Sequence, residues 1–187
     1  MTPPLLLYKQ GNADFNAQPN IASVGTRKPS AYGLNLMAEF ASFFAATGCN
    51  VVSGMAYGID IAAHWAAMEA GGITTAVLGH GLHYVYPHEH SATAQQMTER
   101  GGLLTEYFWG QNALAKHFPQ RNWILAGMCQ AMVVIEAAEK GGALITARLG
   151  FEQNREIFAV PGNLEQKTSA GCNRIIRDQM ARLVSSP

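Results

Sequence analysis

Charged side chains are scarce in this 187-residue sequence, 14% in all, where globular chains carry about 25%. With 48% hydrophobic residues, that scarcity excludes a disordered chain, which needs the opposite balance. Net charge is absent too: 13 Lys and Arg face 13 Asp and Glu. No global field therefore draws the chain to a polyanion, and any such site must be a local cluster. The charge is slightly uneven. Residues 1–100 hold 4 basic against 6 acidic side chains, and residues 101–187 hold 9 against 7.

Cysteine is also sparse. Cys49, Cys129 and Cys172 are odd in number, far apart and in no CxxC pair, which excludes a disulfide framework and a thiolate zinc site. Reduced thiols fit a cytoplasmic protein. No apolar run approaches membrane-spanning length, so no membrane association is expected. Leu5, Leu6 and Leu7 are too short a run for a signal-peptide core. There is no repeat and no low-complexity linker, and one domain over 1–187 is expected.

Several nucleotide and catalytic signatures are missing. No GxxxxGK[ST] argues against a P-loop NTPase. Gly79-His80-Gly81 begins a GxGxxG, but Tyr84 stands at the third glycine, which disfavours a dinucleotide-binding dehydrogenase. There is no GxSxG and no HExxH. His80, His83, His88 and His90 crowd one segment, yet their spacing fits no metal-ligand pattern and Pro87 makes the segment a loop, so no metal or other cofactor is expected. Asp60 and His64 stand at i, i+4 and read as a hydrogen-bonded pair. Glu106, Glu136 and Glu139 follow strands and are candidate acids or bases, with nothing to pair them.

What is present is alternation. Short β-rich runs at 21–24, 50–53, 74–78, 103–105, 131–136 and 156–160 read as strands. Helical periodicity occupies 31–47, 59–70, 90–100, 119–127, 143–153 and 173–183. Ser30 caps the first helix and Gly48 follows its end. Strands alternating with helices predict an α/β fold of Rossmann-like, doubly wound type: a mainly parallel sheet with helices on both faces.

In such a sheet ligands bind outside the carboxyl ends of the strands. The residues just after the strands are therefore the ones to inspect. Gly25-Thr26-Arg27-Lys28 follows the first, Ser53-Gly54 begins the turn after the second, and Gly141-Gly142 opens a later helix. Glycine turns let backbone N–H groups approach a phosphate, and helix N-termini add positive partial charge. Arg27 and Lys28 add full charges. A second set, Lys116, Phe118, Arg121 and Asn122, combines cations, an amide and an aromatic, the side-chain types that grip phosphates and stack bases.

Nine ordered motifs sharpen this reading: VGTR at 24–27, SGMAYGIDIAAH at 53–64, AVLG at 76–79, YP at 86–87, FPQRN at 118–122, VIEAAE at 134–139, GALITAR at 142–148, FAVPG at 158–162 and SAGCN at 169–173. Together, over about residues 5–180, they resemble the Rossmann-like core of the DNA-processing protein A (DprA/Smf) family. The resemblance implies a non-catalytic protein that binds single-stranded DNA in natural transformation, dimerises and loads the recombinase RecA. It assigns Gly25, Thr26 and Arg27 to a phosphate-binding turn, and Phe118, Arg121 and Asn122 to the FPxRN element. Ser53 and Gly54 open a third segment, and Gly142 and Thr146 lie in a helix start. Lys116 joins them as a flanking cation.

Tyr57 departs from the family, which usually has Arg there, and an aromatic at that place can stack a base. His80 and His83 replace residues that are more often Cys and Asp. Family members often carry an N-terminal helical domain and a C-terminal winged-helix domain, for which 187 residues leave no room. The alternative is an enzyme. Related phosphoribohydrolases of the LOG type carry PGGxGTxxE, which residues 141–146 match only in part; a nucleotide-sensing domain is the third possibility.

Overall fold

The computed structural model describes residues 3–187. Eight strands form one sheet: β1 (Tyr8–Gly11), β2 (Asn20–Gly25), β3 (Asn50–Ser53), β4 (Ile73–Val77), β5 (Gly102–Thr105), β6 (Ala131–Ile135), β7 (Glu156–Ala159) and β8 (Arg182–Leu183). Six helices connect them: α1 (Ala31–Ala46), α2 (Ile59–Glu69), α3 (Ser91–Arg100), α4 (His117–Met128), α5 (Gly142–Glu152) and α6 (Ala170–Arg177). The strand order is β1-β5-β4-β3-β2-β6-β7-β8. Every pairing is parallel except that of β1 with β5. The doubly wound α/β architecture expected from the alternation is the one observed.

Both faces of the sheet are buried because the strands are apolar on both. Val52, Met132 and Val134 point into a core shared with α4, α5 and α6. Their neighbours Val51, Val133 and Ile135 point the other way, against α1 and α2. This is the period-two alternation of a strand with helices on each side. A third cluster, Ala76, Leu78 and Leu103 with Ala94 and Met97, seats α3.

One strand is added to those expected, and two helix bounds are corrected. β1 is exposed and short of apolar residues, so it carries no core-facing pattern, and it enters the sheet by edge pairing with β5. The last helix runs 170–177 rather than 173–183. Gln179 adopts φ 56, a left-handed conformation that ends a helix, and Arg182 and Leu183 then pair with β7. His90 belongs to a 3₁₀ turn at 88–90 ahead of α3, which starts at Ser91.

The order of the strands fixes where a ligand fits. The chain runs outward from β2 through β3 and β4 to β5 on one side, then crosses back to β6 beside β2. Winding reverses between β2 and β6, and the crevice beyond their carboxyl ends is the switch point of the sheet.

Candidate nucleic-acid interface

A cleft of about 920 Å³ opens at this switch point. Its floor and walls are built from the turn after β2 (Gly25, Thr26, Arg27), the turn after β6 (Ala137, Ala138, Gly141) and the first turns of α4 and α5. Of the residues singled out in the sequence, Gly25, Thr26, Arg27, Phe118, Arg121, Asn122, Gly142 and Thr146 line it. Ser53, Gly54 and Lys116 do not. Two helix N-termini therefore face one cavity, α4 through Phe118 and Pro119 and α5 through Gly142 and Ala143. Each brings the positive end of a helix dipole, although at α4 the Leu114 carbonyl takes His117 N–H and Pro119 has none.

The β2 turn is held tightly. Thr26 N–H donates to the Glu136 carbonyl at 2.6 Å, and the Thr26 carbonyl accepts from Ile59 N–H at 3.1 Å. Gly25 permits this packing: a Cβ there would lie 2.0 Å from the Ile135 carbonyl and 2.6 Å from the Ile59 side chain. Its glycine serves close packing of β6 and α2 against β2. Arg27, the next cation along, is exposed and free to reach a ligand across the cleft mouth.

Arg121 has a different situation. Only 4% of it is exposed. Its guanidinium donates to the Gly54 carbonyl at 2.7 Å and to the Val77 carbonyl, and its Nε donates to Asn122 Oδ1 at 3.0 Å. Burial pushes its pKa down to about 10, opposed by the nearby Asp60 carboxylate, and it stays cationic at neutral pH. Arg121 thus forms the cleft floor and ties α4 to the ends of β3 and β4. Gly54 lets it approach, since a Cβ there would meet the guanidinium at 2.7 Å and Asp60 at 2.6 Å.

Asp60 was expected to pair with His64 and does not. His64 Nδ1 is instead 2.6 Å from the Thr74 hydroxyl, and burial drives its pKa down to about 3, so it is neutral. Asp60 lines the cleft beside Arg121. Burial raises its carboxyl to about 6, with Arg121 and the Ala56 amide pulling it back. The folded state therefore holds a proton between pH 4 and 6 that the unfolded chain has released, and stability contributed by this group declines as pH rises through that window. Asp60→Asn does not titrate. Its stability relative to the wild type is expected to rise by about 2–3 kcal/mol from pH 4 to 7, read from urea midpoints; a constant difference would contradict the assignment.

Three of the remaining candidates have structural roles. Ser53 is wholly buried and donates to the Ser23 carbonyl at 2.6 Å. Thr146 is buried and donates back to the Gly142 carbonyl at 3.3 Å. Glu136, a candidate acid or base, is buried with both oxygens engaged. It accepts from Ser30 N–H at 2.8 Å and from the Ser30 and Thr168 hydroxyls at 2.5 and 3.3 Å. Ser30 in turn caps α1 by accepting from Gly33 N–H. Glu106 and Glu139 are absent from the cleft lining. Lys116 is exposed at the start of α4, and Tyr57 is exposed outside the cleft.

His80 and His90 are buried rather than solvated. His80 contacts the Gly81 carbonyl at 2.9 Å and accepts from Tyr86 N–H at 3.2 Å, and His90 contacts the Met55 carbonyl at 2.8 Å. They brace the loop that carries Tyr84 and Tyr86. Those two tyrosines line the cleft, with the Tyr86 ring 5.8 Å from that of Phe118. Sequence reasoning missed both as site residues, although Tyr86 lies in the YP motif that marks the resemblance.

A doubly wound α/β sheet with a cleft at its switch point, lined by Arg27 and Arg121 and lipped by Phe118 and Tyr86, has the arrangement in which such folds take up ligands. All of residues 1–187 match the profile of the family described as DNA recombination-mediator protein A, and the chain belongs to that family. It is 38% identical to DNA processing protein DprA of Streptococcus pneumoniae over 98% of its own length and 64% of that protein. Against Protein Smf of Escherichia coli the identity is 38%, covering 98% of this chain and 49% of the relative. The chain thus spans between about half and two thirds of these curated relatives. In three dimensions it superposes on the S. pneumoniae structure with a TM-score of 0.93. It also superposes on DNA processing protein A from Helicobacter pylori, whose structure is described for its single-stranded DNA binding mode, with a TM-score of 0.90 at 26% identity, covering 97% of this chain and 83% of that one. No helix among the described residues is long and apolar enough to cross a membrane.

Proposed function

We propose that the switch-point cleft binds the sugar-phosphate backbone of single-stranded DNA, and that the chain acts without catalysis as a cytoplasmic recombination mediator. The observation that carries this is the convergence of the β2 turn and the N-termini of α4 and α5 on one cavity. Phosphates there meet the Arg27 guanidinium, the Thr26 turn, the Asn122 amide and the N–H groups around Gly142. Arg121 contributes charge from beneath, Thr146 and the Ser53-Gly54 strand end support the walls, and Lys116 supplies a flanking charge. Phe118 faces a base. Backbone contacts of this kind give little sequence preference.

The names of the relatives support a role in DNA processing and recombination, and the H. pylori structure supports single strands as the ligand. Loading of RecA and action as a homodimer belong to the same reading. Two protomers on one strand raise affinity through effective concentration, which compensates for the lack of net charge.

The test compares single-stranded and duplex oligonucleotides of one sequence by fluorescence anisotropy, with AMP incubated in parallel. Preferential binding of the single strand and intact AMP are expected. Equal affinity for duplex, or release of adenine from AMP, would overturn the proposal.

A further inference from the structure

The loop between β5 and α4 carries large aromatic surface into solvent. Trp109 is 72% exposed and Phe108 60%. The loop is nevertheless tied down along its length. Gly81 N–H donates to the Gln111 carbonyl at 2.8 Å and Gln111 N–H to the Phe108 carbonyl at 3.1 Å. Gly110 N–H donates to His83 Nδ1 at 3.1 Å, and Ala113 N–H donates to the Tyr84 hydroxyl. Gly81 allows the two loops to touch, because a Cβ there would lie 2.3 Å from the Phe108 carbonyl.

The rings between the cleft and Trp109 form a continuous row. His80 and Tyr84 have centroids 4.6 Å apart, Tyr84 and His83 4.6 Å, and His83 and Trp109 6.0 Å. Tyr84, Ala113 and Ala115, from the same two loops, line the cleft wall, and Lys116 closes the loop with an exposed charge. The row therefore meets the proposed DNA site through Tyr84, two rings away from Trp109. At its far end the loop backbone around Trp109 is fixed and holds the indole in solvent, so less freedom remains to be lost when a ring stacks on it.

We infer that Trp109 is a base-stacking platform outside the cleft, on which a nucleobase of the bound strand rests where the strand leaves the phosphate site along the 80–86 and 106–116 loops. The inference rests on the single-stranded DNA reading and adds to it a second contact of different chemistry. Phosphates are gripped at the switch point, and a base is stacked beyond it. Stacking on an aromatic is tolerant of sequence because every base has a π-face, so the platform leaves the low sequence preference intact.

The test measures affinity of the full chain for oligo-dT of graded length, for Trp109→Ala, Trp109→Phe and the wild type, at several salt concentrations. Trp109→Ala is expected to weaken binding of the longer oligomers by about 5- to 100-fold. The slope against salt should not change, and oligomers that fill only the cleft should show no loss. Trp109→Phe should restore most of the affinity. An abasic site scanned along the oligomer should weaken the wild type at one position beyond the base over Phe118 and leave Trp109→Ala unaffected there. Equal affinities of wild type and Trp109→Ala at every length would overturn the platform while leaving the cleft reading in place. Loss of self-association in place of loss of DNA affinity, followed by sedimentation, would overturn it in favour of a second copy of the chain as the occupant. A wild type that binds no single strand would overturn both.

Discussion

Arg121→Ala is expected to destabilise the fold by about 3–5 kcal/mol, the cost of breaking a buried charged network by removing one partner. The Gly54 and Val77 carbonyls would each lose a buried donor, and each unsatisfied group costs about 1–3 kcal/mol. Asp60 would lose the cation beside it while remaining buried. Urea or thermal unfolding should show the loss whether or not DNA is present. A midpoint within error of the wild type would show that these contacts contribute nothing. Any fall in DNA affinity for this variant has to be read against that instability, so Arg121 is a poor probe of binding chemistry even though it lines the cleft.

Arg27→Ala is the cleaner probe and the variant with the larger expected effect on binding. Arg27 is exposed, and no hydrogen bond or ion pair of its side chain occurs among those of the described residues, so its removal leaves the core untouched. The loss of one charge-assisted phosphate contact is expected to lower affinity for single-stranded DNA by about 10- to 100-fold, uniformly across sequences. Stability should change by no more than about 0.5 kcal/mol. Anisotropy and urea unfolding on the same preparation separate the two effects. A large stability change with little change in affinity would reverse the roles assigned to Arg27 and Arg121.

Those roles mark the boundary of what the sequence makes legible. The six buried strands β2 to β7 announce themselves by apolar, mostly branched runs, and the glycine turns after them locate the carboxyl edge of the sheet. β1 does not, because Tyr8, Lys9 and Gln10 are exposed and the strand exists only through its pairing with β5. At the site, the FPQRN run reads as a surface grip. The partners that draw Arg121 inside lie 67 and 44 residues away in sequence, and local pattern carries no trace of them. The same holds for His64, whose i, i+4 relation to Asp60 suggests a pair while Thr74, on a neighbouring strand, takes its ring nitrogen. Tyr84 and Tyr86 enter the site because β4 ends beside the start of α4, a consequence of topology rather than of local spacing.

Gly25 shows the converse. Its position at the end of β2 reads as room for a phosphate, and the structure adds a second demand, close packing under Ile135 and Ile59. The turn that presents Arg27 is therefore rigid for reasons unconnected with any ligand. The backbone under Arg27 is thus fixed before any ligand arrives, and only its exposed side chain loses freedom on binding.

The most direct test of the account is the salt dependence of single-stranded DNA binding, measured for the wild type beside Arg27→Ala. The logarithm of affinity should fall linearly with the logarithm of salt concentration in both, and the magnitude of the variant's slope should be smaller by about 0.7, the counterion release for one phosphate on a single strand. Parallel lines of equal slope and height would contradict a phosphate held at the switch point by Arg27.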